Sequence, residues 1–194
     1  VYLNAANVAL MYSGAEQIIT EWVADVAENG SNNFDDHAEE NVFKDLHRAA
    51  AHLINAAPDD IAAGSSATEL LCSLAWAVSP GKDKNVVSTE IVFPSTVYPW
   101  QRVARSTGCE IRLAKEKNNF IYTDDIIDLI DRHTAVVCIS HVEYGNGQTY
   151  DLNLLSDAAH EQGALLVVDA TQSAGSIPID VQACPVDALI SGAY

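Results

Sequence analysis

Ala164-Leu165-Leu166-Val167-Val168-Asp169-Ala170-Thr171-Gln172-Ser173-Ala174-Gly175 is the stretch on which the fold turns. A run of five apolar residues between Gly163 and a carboxylate is the pattern of a strand buried on both faces of a parallel sheet. It predicts an α/β fold that delivers Asp169 at the carboxyl end of a strand. Ligands of open α/β sheets bind outside that edge, and a charge withdrawn from water needs a partner. Asp169 therefore has two readings: it meets a cationic or protonated group on a bound cofactor, or it caps the turn that follows.

Immediately upstream the pattern repeats in Ala135-Val136-Val137-Cys138-Ile139-Ser140, whose carboxyl end releases the polar loop His141-Val142-Glu143-Tyr144-Gly145-Asn146-Gly147. Asp151 is placed to cap a helix carrying Leu152, Leu155, Ala158 and Ala159, which ends at Gly163. A strand, helix and strand in this spacing make a right-handed crossover, so the two strands are expected to be parallel and close, with their loops on one edge. Downstream, Asp187-Ala188-Leu189-Ile190 reads as a last strand ending in Ser191-Gly192-Ala193-Tyr194.

Further upstream, Ile61-Ala62-Ala63 is expected as a short strand, followed by Gly64-Ser65-Ser66-Ala67-Thr68-Glu69 and a helix with Leu70, Leu71, Leu74, Ala75 and Val78 on one stripe. Ser66 and Glu69 have the spacing of a capping box. The same turn can serve as a phosphate cradle, because a small-residue turn into a helix aims free N–H groups and the Ser66 and Thr68 hydroxyls at the sheet's carboxyl edge. It is neither a Walker loop nor G-x-G-x-x-G. Asn85 to Ser88 reads as a strand. Phe93-Pro94-Ser95 leads into a helix through Tyr98, Trp100 and Val103, where Pro99 fits only near the first turn. Phe93 is either core or a face on which a planar ring stacks. Glu110 to Leu113 is another strand, Asn118-Asn119 a turn, and Thr123 the cap of a short helix with Ile126, Ile127, Leu129 and Ile130.

Residues 1–60 read as an amino-terminal helical segment packing on a large domain formed by residues 61–194. Ser13 is expected to cap a helix with Ile18, Ile19, Trp22, Val23 and Val26 on one face, stopped at Gly30, and a second helix is expected from about Asp35 to Ala57. His37, His47 and His52 sit on helix positions without metal-ligand spacing. The formal charge of -17 over 194 residues argues against nucleic acid or an anionic membrane as partner. It leaves small anions open, since a helix amino terminus acts at short range while net charge is screened. No apolar run approaches the roughly 20 residues of a spanning helix. Cys72, Cys109, Cys138 and Cys184 are widely spaced with no C-x-x-C pair, and read as thiols rather than a disulfide or zinc framework. A cytoplasmic location is the simplest expectation.

Together these loops resemble the class V aminotransferase family of pyridoxal-phosphate enzymes, which includes cysteine desulfurases, selenocysteine lyases and isopenicillin N epimerase-like proteins. The resemblance covers nearly the whole chain, beginning with Tyr2-Leu3-Asn4-Ala5-Ala6 as the opening strand. It implies the large domain of the fold type I pyridoxal-phosphate transferases, an α/β architecture with a mostly parallel central sheet and helices on both faces. It implies pyridoxal 5'-phosphate as cofactor, an amino acid or related amine as substrate handled through an external aldimine, and a homodimer. Ser66-Ala67-Thr68-Glu69 is similar to the family's phosphate loop, with Ala67 offering its backbone N–H and Thr68 its hydroxyl. Phe93 falls where many members place a histidine on the pyridine ring. In Asp169-Ala170-Thr171-Gln172-Ser173, the most specific segment, Asp169 would pair with the pyridinium nitrogen and Gln172 would contact the phenolic oxygen. Tyr144 stands where many desulfurases have Asn, and would contact that oxygen or line the substrate pocket. Ser191 and Tyr194 would be further cofactor contacts. The Schiff-base lysine is expected immediately after Tyr194, with the carboxyl-terminal part and small domain beyond it; Lys44, Lys82, Lys84, Lys115 and Lys117 lie in other contexts. A reading from a different class is a non-catalytic, doubly wound domain that binds a nucleotide or a partner.

The chemistry accounts for these residue types. A buried carboxylate favours the protonated ring nitrogen that makes the cofactor an electron sink. A helix amino terminus fixes the phosphate, and an aromatic face sets the tilt of the ring.

Overall fold

The computed structural model describes Val1 and residues 8–192. The segment from Tyr2 to Ala6 and the position of Tyr194 lie outside the described residues. The chain divides into two compact units: one contains residues 1–52 and 57–63, the other residues 53–56 and 64–193.

The first unit is helical: α1 (Ser13–Asn29), α2 (Asp36–Asn41) and α3 (Lys44–Ile54), the last running on into the second unit, then a 3-10 turn at Pro58–Asp60. Ser13 is the first helical residue, not the cap; Tyr12 holds the N-cap position without a side-chain hydrogen bond. Gly30 ends α1 as expected, with φ of 61°. The single helix expected over 35–57 is two. Asp35 caps α2 by accepting from the Ala38 N–H at 2.9 Å, and β-branched Val42 with aromatic Phe43, both poor helix formers, fall at the break. Ile61-Ala62-Ala63 is not a strand: it follows the 3-10 turn as irregular backbone, because Pro58-Asp59-Asp60 starts a tight turn directly before it.

The second unit holds a five-stranded sheet in the order β2-β1-β3-β4-β5, built from β1 (Asn85–Thr89), β2 (Glu110–Ala114), β3 (Thr134–Ser140), β4 (Leu165–Asp169) and β5 (Ala188–Ile190). Every pairing is parallel. The expected neighbours do pair, Val137 opposite Leu166 and Ser140 opposite Asp169. The helices are α4 (Ala67–Val78), α5 (Pro94–Thr107), α6 (Thr123–Ile127) and α7 (Leu152–Glu161). Alternation along each strand divides the core in two. Val87, Val137, Ile139, Leu166 and Val168 pack with Ile126 of α6 and Leu155 of α7. Val86, Val136, Cys138 and Val167 pack with Leu71 of α4 and Trp100 of α5. Helices thus cover both faces, which is why the inner strands β3 and β4 carry continuous apolar runs, Ala135 to Ile139 and Leu165 to Val168, rather than alternating ones.

Three local expectations need correction. Thr123 opens α6 but does not cap it, since Tyr122 takes that position, and Leu129 and Ile130 lie past the helix end. Pro99 sits inside α5 beyond the first turn; its ring is buried, so tertiary packing overrides the lost backbone hydrogen bond. Ser66 caps α4, accepting from Glu69 N at 3.1 Å, but the Glu69 carboxylate reaches the Ser65 N–H and hydroxyl, each at 2.7 Å. Only half of the capping box forms.

Candidate cofactor site

The loop after β1 leads to α5 on one face of the sheet, while the loop after β3 leads to α7 on the other. Between β1 and β3 the chain therefore reverses direction across the sheet, the position where open α/β sheets part to admit a ligand. Phe93 comes from the first loop and Tyr144 from the second, and their rings meet edge to face with centroids 5.2 Å apart and planes at 87°. Both rings are exposed. Phe93 is therefore not core: it is the N-cap residue of α5, with a ring face open at the sheet edge.

Asp169 ends β4 and is 5% exposed. Its Oδ2 accepts from the Thr96 hydroxyl at 2.8 Å, and its Oδ1 accepts from the Thr171 N–H at 3.0 Å. Asp169 thus does cap its turn, the more local of its two readings, and its buried charge is met on the described residues by neutral donors alone. That leaves capacity for a positively charged partner, which a protonated ring nitrogen would supply. The Thr171 hydroxyl in turn accepts from the Gly192 N–H at 3.0 Å, which ties the turn after β4 to the residues after β5. Ser191 lies there, half-buried, its hydroxyl donating to the Gly192 carbonyl at 2.9 Å. Gln172 is half-buried in the same turn.

The amino terminus of α4 opens on the same edge of the sheet. Its first N–H groups lack intrahelical partners, Ala67 is its first residue, and Thr68 hydrogen-bonds through its hydroxyl to that of Ser95 on α5 at 2.8 Å. Ser66, Thr68 and Ser95 bring three hydroxyls to the start of two neighbouring helices. The donor set fits a phosphate, and α5 also carries the Phe93 ring at its N-cap and the Thr96 contact to Asp169.

A second polar group lies on the α6–α7 side of the same edge. Glu143 is 1% exposed; its Oε1 accepts from the Thr89 hydroxyl at 3.0 Å and from the Tyr150 phenol at 3.2 Å. Burial raises the Glu143 carboxyl above the ordinary glutamate value, with its two donors pulling the other way and the Asp169 charge adding to the rise. Burial also raises Tyr150, which stays a phenol donor. Burial lowers the His141 imidazole below its ordinary value; its backbone N–H donates to the Asp169 carbonyl at 2.9 Å.

The structure accordingly brings Asp169, Phe93, Tyr144, Thr68 and Ala67 to one edge of the sheet, places Gln172 and Ser191 in the turns beside Asp169, and leaves Tyr194 outside the described residues. Sequence reasoning missed Thr96, Ser95 and Glu143. Two hydroxyl residues directly after Phe93-Pro94 were the available signal for the first pair. For Glu143 the signal was a carboxylate in a loop leaving a buried strand.

A family model for class V aminotransferases matches residues 2–194. The chain is 33% identical over 142 residues to the uncharacterized aminotransferase YcbU of Bacillus subtilis, covering 73% of this chain and 38% of YcbU. It is 34% identical over 135 residues to a kynureninase of Geobacillus thermodenitrificans, covering 66% of this chain and 32% of that protein. Among solved structures, the cystine C-S lyase C-DES, in complex with its reaction product cysteine persulfide, matches with a TM-score of 0.84 at 20% identity, over 96% of this chain and 51% of that one. This last likeness shows the fold. The chain spans about a third to a half of the length of these relatives.

Proposed function

The chain belongs to the class V aminotransferase family, and from that premise we propose that it forms the cofactor-binding large domain of a pyridoxal 5'-phosphate enzyme acting on an amino acid or related amine. The observation that carries this reading is Asp169: a buried carboxylate at a strand's carboxyl end whose partners are neutral. It complements a protonated pyridine nitrogen.

The geometry supports a role for each residue. The Thr96 hydroxyl and the Thr171 N–H hold the Asp169 carboxylate in place, so the charge does not have to be oriented when the cofactor binds. Ala67 N–H, Thr68 and Ser66 at the head of α4 bind the phosphate. Phe93 stacks on one face of the ring; its phenyl has no titratable atom, so any proton moved on that face is moved by another group. Tyr144, in edge contact with Phe93, reaches the cofactor's phenolic oxygen or lines the substrate pocket, and Gln172, Ser191 and Tyr194 complete the set. When bound, the cofactor supplies an electron sink for the bond broken at the substrate's α carbon. Lyase, desulfurase-like or aminotransferase outcomes share this half of the site and differ in the groups that hold the substrate.

A homodimer in the cytoplasm is the assembly we infer; four free thiols agree with a reducing compartment, and no described helix is long and apolar enough to cross a membrane. A non-catalytic binding domain is not favoured, since the matched relatives are enzymes by name. The test is an absorbance spectrum of the natural protein with pyridoxal 5'-phosphate, before and after borohydride, with a mass map of the reduced peptides. A band near the visible edge that shifts on reduction, with a phosphopyridoxyl group fixed to one lysine, is the expected result. No chromophore and no uptake of the cofactor refute the reading.

A further inference from the structure

Glu143 presents a problem that the cofactor roles above do not use. Its Oε1 holds two donors, but its Oε2 is buried without a hydrogen-bond partner among the described residues. An ionised carboxylate spreads its charge over both oxygens, so ionisation would leave half a charge on a buried oxygen that has no donor among the described residues, the costly case for a buried polar group. A proton on Oε2 removes that charge and leaves Oε1 as the carbonyl oxygen that accepts from Thr89 and Tyr150. Of the groups facing Glu143, the Asp169 carboxylate adds to the rise that burial causes, while the two neutral donors oppose it. Tyr150, at the far end of its own loop, is a neutral phenol donor, β4 presents the carboxylate of Asp169, and β1 presents the neutral Thr89.

The position of the contact gives the proton a purpose. Thr89 is the last residue of β1 and Glu143 lies in the loop after β3, so their hydrogen bond spans the point where the sheet parts. Tyr144, whose ring meets Phe93, is the next residue. We propose that Glu143 is kept as the neutral carboxylic acid, with its proton on Oε2, and acts as the positioning residue that ties β1 to the loop carrying Tyr144, leaving the carboxylate charge beside the cofactor nitrogen to Asp169. The role at the nitrogen rests on the cofactor reading above; the protonation state does not.

The linkage has a definite sign. A carboxyl that keeps its proton on folding adds stability that is complete in acid, below the ordinary glutamate value, and is lost as the pH rises toward its raised folded value. Glu143→Gln has the shape of the neutral acid and cannot titrate. Urea midpoints of the natural protein, without and with pyridoxal 5'-phosphate, are therefore measured from about pH 5 to about pH 8 for wild type and E143Q. The expected result is a stability advantage of E143Q over wild type that widens with pH. A constant difference, or one that narrows, overturns the proposal. Turnover supplies the rescue: E143Q keeps kcat/KM within about threefold and leaves the pH profile of the cofactor absorbance in place, whereas E143A loses about tenfold or more. An absorbance profile displaced in E143Q, as removal of a nearby negative charge would do, also overturns it. Should E143Q not fold, the infrared spectrum of wild type labelled with carboxyl-13C glutamate decides. A protonated carboxyl stretch persisting above the ordinary glutamate range supports the proposal, and its absence refutes it. Failure of wild type to bind cofactor would sink the cofactor reading, while the urea comparison would still judge Glu143.

Discussion

Thr96→Val tests whether Asp169 is held in place by a hydrogen bond or merely by packing. Thr96 has no exposed surface, and its hydroxyl donates to Asp169 Oδ2 at 2.8 Å, a charge-assisted hydrogen bond of good length. Valine replaces the hydroxyl with a methyl group of similar size, so no cavity opens and the loss is that of the bond and of the desolvated oxygen left behind. Hydrogen bonds to charged groups contribute about 1.5–3 kcal/mol, so T96V should cost about 2 kcal/mol, or roughly thirtyfold in the folding equilibrium. Thr96→Ser keeps the hydroxyl and loses one buried methyl, at about 1 kcal/mol. The assay is urea unfolding of wild type and both variants at constant pH, together with cofactor titration followed by absorbance. The expected order is T96V more damaging than T96S in both readouts. T96S equal to or worse than T96V would mean that volume, not the hydrogen bond, matters at this site, and the account of how the carboxylate is oriented would fall.

The remaining predictions concern other links in the structure. Asp169→Ala should leave the sheet intact by circular dichroism yet abolish most turnover of the natural enzyme, and unchanged turnover would refute its role. The Arg112 guanidinium at 2.8 Å, with the His133 N–H, holds Asp131 well below the usual carboxylate range. A carboxylate depressed in the folded state adds stability above its unfolded value and loses it as the pH falls toward the folded one. The gap between wild type and D131N should thus be open at neutral pH and close in acid; a gap independent of pH contradicts the pairing. Burial pushes the Cys138 thiol up to about 12, so at mildly alkaline pH a thiol-alkylating reagent should label it only on unfolding. Mass mapping that finds Cys138 modified in the native protein would contradict its burial.

Much of the second unit was legible in the chain itself. The apolar runs at 135–139 and 164–168, each bounded by a polar residue at its end, mark doubly buried strands because a parallel sheet with helices on both faces offers no wet side. Asp151, Ser66 and Gly30 announced helix ends through short-range chemistry, a side chain reaching a nearby N–H or a residue free to take positive φ. Where the local signals misled, a competing interaction had won. Glu69 had an equally near partner in Ser65. Pro99 was carried into α5 by burial, which a local rule about proline does not weigh. The apolar stripe of α1 was also legible, but its side chains Ile18, Ile19, Trp22, Val23 and Val26 are exposed, because periodicity tells which residues share a helix face and not what lies against it.

The site itself divides along the same line. The chain alone determined that a carboxylate would stand at the end of a buried strand, that a hydroxyl-rich turn would open a helix and that an aromatic would follow β1, since each depends on residues within a turn or two of one another. Only the tertiary structure decided what holds them. The Thr96 bond to Asp169 spans 73 positions and the Thr89 bond to Glu143 spans 54. Each exists because strand order, register and the side to which each loop departs bring remote segments to one edge. Those are properties of the assembled sheet, in which register sets the face of every side chain, and no local pattern encodes them.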